Sequence, residues 1–421
     1  MTNPLRVCVD ARLIGGTYGG IQHVIVGLAA GLSALRDGDE EYLFLTYNGA
    51  DGWLRPYLHG PCTILPGPLP PRAEAQWKRF VRSAVPSVYR VWRRVREPRR
   101  SVGVAIPRSD GILEKARVSL VHFTNQQAFT TAVPSIYHPH DLQHLHLPEF
   151  FRPRDISIRE VQYRAFCDQA SMVAVASSWT KRDLIAQYQL PADKVTVVPL
   201  APVLNAYPNP SQSDLDATRD KLRLPLDYIY YPAQTFAHKN HISLLKAMAV
   251  LRDRDRLGIS FVSSGKLTDF FPTIMETVHA LHLEKQAHFL GFVSPLELQC
   301  LYALCKGVVI PSRFEAASFP LWEAFSAGAP AACSNVTSLP DQAGDAAILF
   351  SPDRVEEIAD AIRSLWQDEA LREQLIARGK RSVARFTWEK TARTFRAHYR
   401  RLSGCRLTME DHDLIHAAPL L

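Results

Sequence analysis

The tightest constraint on this chain lies between Val308 and Asp341. A short apolar run, Val308 to Pro311, reads as a buried parallel strand. A loop carrying Glu315 follows, then a helix beginning near Pro320 or Leu321 and carrying Glu323. Gly328 ends that helix, and Ala329 to Cys333 reads as the next strand. In an open α/β sheet, ligands sit where strand ends meet helix starts. Here that position holds two carboxylates, one in the loop and one expected in the first helical turn. The helix start adds unpaired N–H groups and a partial positive charge suited to a phosphorylated ligand. Because a carboxylate accepts two hydroxyl hydrogen bonds in a fork, Glu323 is suited to the paired hydroxyls of a ribose and Glu315 to a hexose. The bland reading of the same spacing is a helix-start Glu favoured by the dipole beside an unrelated loop Glu.

Strand and helix patterns alternate through the rest of the chain. Leu5 to Ala11 reads as a first strand, followed by the Gly-rich loop Gly15 to Gly20 and a helix. Glycine lets the backbone close on a ligand there, so Gly16 is a candidate phosphate contact. The loop is not G-x-G-x-x-G, so a dinucleotide site is weakly supported. Further strands are predicted at 42–47, 118–123, 134–140, 172–177 and 195–199. Ser178 is the expected N-cap of the helix that follows the 172–177 strand. Residues 201–226 are rich in Pro, Asn, Ser and Asp and read as a linker. A second βα series opens at Tyr228. Lys239 stands just before a helix, where its ammonium and the helix N–H groups can share a phosphate. These patterns divide 421 residues into a first α/β domain (1–200), a linker (201–226), a second domain (227–385) and a final helix and tail (386–421). Residues 404–421 carry no clear pattern.

Hydrophobic content of 47% and charged content of 22% suit a globular enzyme. No apolar run is long enough to span a membrane and the N-terminus has no signal pattern, so a cytoplasmic location is expected. The net charge of +7 is concentrated. Residues 72–100 contain ten Lys/Arg against Glu74 and Glu97, +8 in all, so the remainder sums to −1. Within that insertion Trp77, Phe80, Val81, Val85, Val88, Trp92 and Val95 recur at helical steps. Such a basic amphipathic element suits an anionic membrane surface or, equally, a core-packed helix with a solvated face. Nucleic acid is disfavoured, because the aromatics share the apolar face instead of forming a stacking platform. His138, His140, His144 and His146 invite a metal reading, but no further ligand set at strand ends completes a site. Four D-x-D triplets (37–39, 214–216, 253–255, 411–413) exist, and none directly follows an apolar strand.

Pro311-Ser312, Phe314-Glu315, Ala316 to Pro320, Glu323, Ala327 to Pro330 and Ser338 to Asp341 together resemble the nucleotide-sugar site of retaining glycosyltransferase family 4. His140-Asp141-Leu142-Gln143-His144 with Pro148 to Phe151 resembles the family's mannosyltransferase-like members. Tyr231 to His241 resembles its strand-Gly-x4-Arg-Lys-Asn region, with Ala233 for Gly, Gln234 for Arg and His238 for Arg. The resemblance implies a GT-B fold: two Rossmann-like domains facing a cleft, with the C-terminal helix crossing back to the first. It implies a retaining transfer of a hexose, best mannose from GDP-mannose, to a glycan or lipid-linked glycan, with no metal or other cofactor. By that resemblance His140, Glu315 and Lys239 serve catalysis. Glu323, Gly16, Gln234, His238, Ser318, Phe319 and Pro320 bind the donor, and His238 or Arg313 supplies the charge that Gln234 lacks. The loop at 316–318 departs from the family's Gly-Phe-Gly. The alternatives on the same residues are a GT-B sugar-nucleotide epimerase, a metal hydrolase using the histidines, and a non-catalytic scaffold that binds a sugar nucleotide.

Overall fold

The computed structural model describes residues 4–15, 19–70, 103–207 and 209–420. Gly16 and the basic insertion at 72–100 lie outside the described residues. Thirteen strands among the described residues form two sheets. The first holds β1 (Arg6–Asp10), β2 (Glu41–Thr46), β3 (Cys62–Pro66), β4 (Leu120–Phe123), β5 (Ser135–Tyr137), β6 (Met172–Val175) and β7 (Val195–Val197), in the order 3-2-1-4-5-6-7. The second holds β8 (Ile229–Pro232), β9 (Phe261–Ser264), β10 (Ala287–Phe289), β11 (Gly307–Ile310), β12 (Ala331–Ser334) and β13 (Ala347–Phe350), in the order 10-9-8-11-12-13. Every pairing between neighbours is parallel. The order reverses between β1 and β4 in one sheet and between β8 and β11 in the other. Those reversals open the crevices where ligands bind in such sheets.

Helices cover both faces, which is why the strands read as continuous apolar runs. Along β1, Val7 and Val9 enter one core cluster while Cys8 enters the other, on the opposite face. The first cluster runs on through Trp388, Phe395 and Tyr399 into the second domain. These three belong to the crossover helix, Trp388–Leu402, which packs against the first helix, Gly20–Ala34. Burying each such ring stabilises by about 1.5–3 kcal/mol. His122 of β4 sits 4.6 Å from the Phe395 ring, and its Nδ1 lies 2.8 Å from the Tyr399 hydroxyl.

Three local readings change. Residues 201–226 contain a helix, Gln212–Leu222, started by a capping box of Ser211 and Asp214. The tail carries a helix, Met409–His416, with Thr408 and Asp411 as its capping box. Asp411 is buried and accepts from Arg400, whose Nε also reaches Glu40 at 2.6 Å. The Ser178–Tyr188 helix is capped by Ser177, not Ser178, because the Ser177 hydroxyl accepts from Thr180 N–H.

The first helix approaches the crossover helix at Gly31, where a Cβ would overlap the Trp388 carbonyl and the Ala392 methyl. Gly31→Val is expected to cost about 1–3 kcal/mol by overpacking, read as a fall of roughly 2–4 °C in melting temperature per kcal/mol. An unchanged melting temperature would show that the helices do not meet there. A pH effect follows from the buried histidines. Burial pushes His122 and His241 down to about 3 and His398 to about 4. The unfolded side chains titrate near ~6.5. Below that pH the unfolded chain binds more protons than the folded one, so stability is lost as pH falls toward the folded values. The melting temperature should therefore drop from pH 7.5 to 5.5, with a shallower slope in His122→Phe than in the parent.

Candidate active site

A cavity of about 290 Å³ opens between the two domains at the carboxyl ends of β8 and β9 and beyond β11. Its floor is the helix Phe319–Ala327, which begins one residue earlier than expected and carries Glu323 in its second turn. Phe319, Pro320, Glu323, Glu315, Lys239 and Gln234 all line the cavity. Gly19, Gly20, Gln22 and His23 of the first domain form the facing wall. The first helix starts at Gly20 with no acidic residue in its first turn, which leaves that end open to an anion. Gly19 is held against Gln234: a Cβ there would come within 3.0 Å of its amide nitrogen.

The two carboxylates differ in how they are balanced. Glu315, 7% exposed, accepts a 2.6 Å hydrogen bond from the Lys239 ammonium. The loop that carries Glu315 is fixed from behind. Thr337 Oγ1 accepts from its N–H at 3.0 Å, and Ser338 Oγ donates to its carbonyl at 2.8 Å. Glu323, 2% exposed, accepts from the Tyr302 hydroxyl at 2.8 Å through Oε2. Burial, and after it the Glu323 charge, holds the Tyr302 hydroxyl protonated, well above its ordinary pKa. The other oxygen, Oε1, lies 3.3 Å from His23 Nδ1, yet the two are not aligned for a hydrogen bond. Oε1 is thus a buried acceptor without a donor among the described residues, a costly state that a ligand hydroxyl would relieve.

Not every candidate reaches the cavity. Ser318 is buried, its N–H donating to Gln342 Oε1 at 2.8 Å, and it does not line the space. His238 faces a neighbouring hollow instead. Burial, then the Lys239 charge, pushes it down to about 3, so it stays neutral and does not replace the charge missing at Gln234. Arg313 faces the same hollow and pairs with Asp353 at 3.2 Å. The extra cation at the cavity is Lys266, just beyond β9, with no acidic partner among the described residues. A Ser-Ser-Gly-Lys stretch after an apolar strand was its signal. His23 was hidden inside an amphipathic helix pattern. His140 lies three residues past β5 with a left-handed backbone (φ 67°). Its Nε2 sits 2.9 Å from the Thr124 carbonyl, its ring stacks on His138 at 4.2 Å, and it is not among the cavity's lining residues. Burial lowers its pKa and keeps the ring neutral. The other histidines diverge, His144 to Glu160 and His146 to Asp183, both at 2.8 Å. Among the described residues no three His, Cys, Asp or Glu side chains converge as metal ligands.

The cleft is bridged beside the cavity. Ser177 Oγ donates to the Ala316 carbonyl at 2.8 Å, and Phe314 packs on Trp179 and His146, each 5.5 Å between ring centres. No helix among the described residues is long and apolar enough to cross a membrane.

Comparison with known proteins agrees with this geometry. The family model for Glycosyltransferase Family 4 matches residues 18–201, and that for Glycosyl transferases group 1 matches residues 216–382. The chain is 28% identical over 260 residues to O-antigen chain mannosyltransferase B of Escherichia coli, covering 62% of this chain and 68% of that one. It is 28% identical over 228 residues to the serotype-specific mannosyltransferase WbdA of Escherichia coli, covering 53% of this chain but only 28% of that longer protein. Among solved structures, HepE of Anabaena, crystallised with UDP and glucose, superposes with a TM-score of 0.67 at 18% identity over 94% of this chain and 99% of that one. That likeness speaks to the fold, two parallel sheets of GT-B type. Along one chain and in order, the first domain thus carries a Glycosyltransferase Family 4 domain and the second a Glycosyl transferases group 1 domain.

Proposed function

We propose that the chain is a retaining hexosyltransferase that moves mannose from GDP-mannose to a hydroxyl of a growing glycan in cell-surface polysaccharide synthesis. The observation that carries this reading is the orphaned Glu323 Oε1, buried with no donor aligned to it on a residue that lines the cavity. A ribose hydroxyl supplies the missing donor. The base then lies toward Phe292, Val293 and Leu298, and the diphosphate toward Lys239, Lys266 and the start of the first helix. The choice of mannose follows the named activities of the Escherichia coli relatives.

Chemistry at such a site turns on the leaving diphosphate. As the bond from the sugar's anomeric carbon to the phosphate breaks, charge grows on the phosphate and the sugar gains oxocarbenium character. Groups that meet that charge only in the transition state lower the barrier. Lys239 is placed for this, held beside the cavity by Glu315, which in turn orients the hexose. Neither carboxylate is a free nucleophile: one is neutralised by Lys239 and the other is engaged with Tyr302. That favours a return on the same face of the sugar, with the departing phosphate taking the acceptor's proton, so the anomeric configuration is kept. No step requires a metal. His140 holds the sugar from the first domain only if closure brings its ring to the cavity. A lipid-linked acceptor at the cytoplasmic face of the membrane is the extension of this reading to residues 72–100.

Two outcomes are expected. In calorimetric titrations GDP binds, and Glu323→Gln weakens it by about 10–100-fold, as loss of a hydrogen bond to a charged group does. Equal affinity in parent and variant would remove the ribose from Glu323. With labelled GDP-mannose, Lys239→Ala lowers kcat by about 10²–10³, more than it raises the donor Kd. Because that change also strips a buried carboxylate of its partner, a melting curve must accompany it. NMR of the product should find the donor's anomeric configuration, and an inverted linkage would end the retaining assignment.

A further inference from the structure

We propose that the hollow beside the donor cavity binds the acceptor's saccharide chain, two or more sugars back from the reacting hydroxyl. The inference rests on the reading of the protein as a transferase to a glycan. The hollow, about 850 Å³, lies between Glu149 to Arg152 of the first domain and two segments of the second, the loop and helix start from Phe236 to Lys246 and the loop from Lys266 to Phe270. Its size falls within the roughly 300–1,000 Å³ of ligand pockets.

Its chemistry is that of a sugar site. Phe150 and Phe151 line one side, Phe236 and Phe270 the other. Phe236 is 45% exposed although its neighbour Thr235 is fully buried, so the loop holds the ring out toward the hollow. It stacks on His238 with ring centres 5.7 Å apart and planes 14° from parallel, and Phe150 meets the same imidazole at 6.5 Å. The result is a layered aromatic wall, on which the C–H face of a pyranose ring can lie. The charged groups are of both signs: Arg152, Lys246, Lys266 and Arg313 are set against Glu149, Asp155 and Asp269. A near-balanced set does not suit a polyanion, but it offers donors and acceptors to hydroxyls, which need both. The Lys246 ammonium has no ion-pair partner among the described residues, so it remains available to a hydroxyl.

Continuity with the donor site fixes the occupant. Lys266 lines both spaces. Along the dividing loop, Lys239 faces the donor cavity while His238 and Asn240 face the hollow. A chain lying along the aromatic wall therefore delivers its end toward the Lys239–Glu315 pair, and the hollow is open on its outer side for the remaining sugars.

The test uses mannose and mannose oligosaccharides of two to four units as acceptors, with GDP-mannose as donor. The parent enzyme should show kcat/KM rising with acceptor length. Phe236→Ala should lose about tenfold with the tetrasaccharide and little with mannose. Phe236→Tyr should restore the length dependence, and the Kd for GDP serves as the control for the donor side. A parent enzyme indifferent to length, or a Phe236→Ala variant equally impaired at every length or at none, would overturn the inference while leaving the transferase reading intact. A parent that turns over no nucleotide sugar, even to water, would overturn that reading and this inference with it.

Discussion

Two carboxylates buried at the carboxyl edge of one parallel sheet set the terms for the whole cleft. Taking a charge out of water costs several kcal/mol unless it is paired and hydrogen-bonded. Glu315 meets that demand with the Lys239 ammonium at 2.6 Å. Glu323 meets half of it with the Tyr302 hydroxyl and leaves one oxygen facing His23 out of alignment. The first pair is therefore stable without a ligand, and the second is unfinished until one arrives. The difference separates two roles on one helix–loop unit. If the cavity takes the proposed nucleotide sugar, Lys239 is held in advance beside the leaving phosphate, and little reorganisation remains at the moment of reaction. Glu323 is poised to reward binding.

These carboxylates are buried because of the sheet order. With β8 and β11 adjacent at the reversal, the loops leaving them diverge and the helix Phe319–Ala327 follows β11 at the crevice. Gly265 shows how closely the loops approach. Its φ is +125°, and a Cβ there would come within 2.7–2.8 Å of Ala233 and the Gln234 amide. A side chain at that position would push β8's loop, with Gln234 and Lys239, out of its place in the cavity wall.

The parts of this plan that rest on local pattern were legible in the sequence. The strand–loop–helix–strand at 308–341, the presence of Glu323 on its helix, though one turn later than expected, and the placement of Lys239 ahead of a helix follow from apolar runs, a Gly stop and a cation near a helix start. What was not legible depends on partners distant in the chain. His23 looked like one polar residue of an amphipathic helix, and its meaning comes from a carboxylate 300 positions away. His238 stood for a missing Arg by position, but burial and Lys239 deny it a charge. The tail looked patternless because its helix has only two turns. Its anchor, Asp411 on Arg400, is an ion pair that composition cannot reveal. Ser178 was a reasonable cap, and Ser177 won because its hydroxyl serves Thr180 and Ala316 together.

The same contacts imply that the two sides of the molecule differ in stiffness. At the back, the crossover helix buries Trp388, Phe395 and Tyr399 and ties Arg400 to Glu40 and Asp411. Separating those surfaces would expose several large rings at about 1.5–3 kcal/mol each. At the mouth, the links include two hydroxyl–carbonyl hydrogen bonds, from Ser177 and Thr180 to the Ala316 carbonyl, the Phe314 ring contacts, and Arg182 with Asp341 at 3.8 Å. Both members of that ion pair are at least half solvent-exposed, at 66% and 50%, and such pairs contribute on the order of 0–1 kcal/mol. A rotation that keeps the back packed and parts the mouth therefore loses little. Parting the mouth also separates His23 from Glu323 and exposes the orphaned oxygen to water. Closing it again over a ligand hydroxyl would replace that water with a donor, so a ligand that completes Glu323 would also favour the closed cleft.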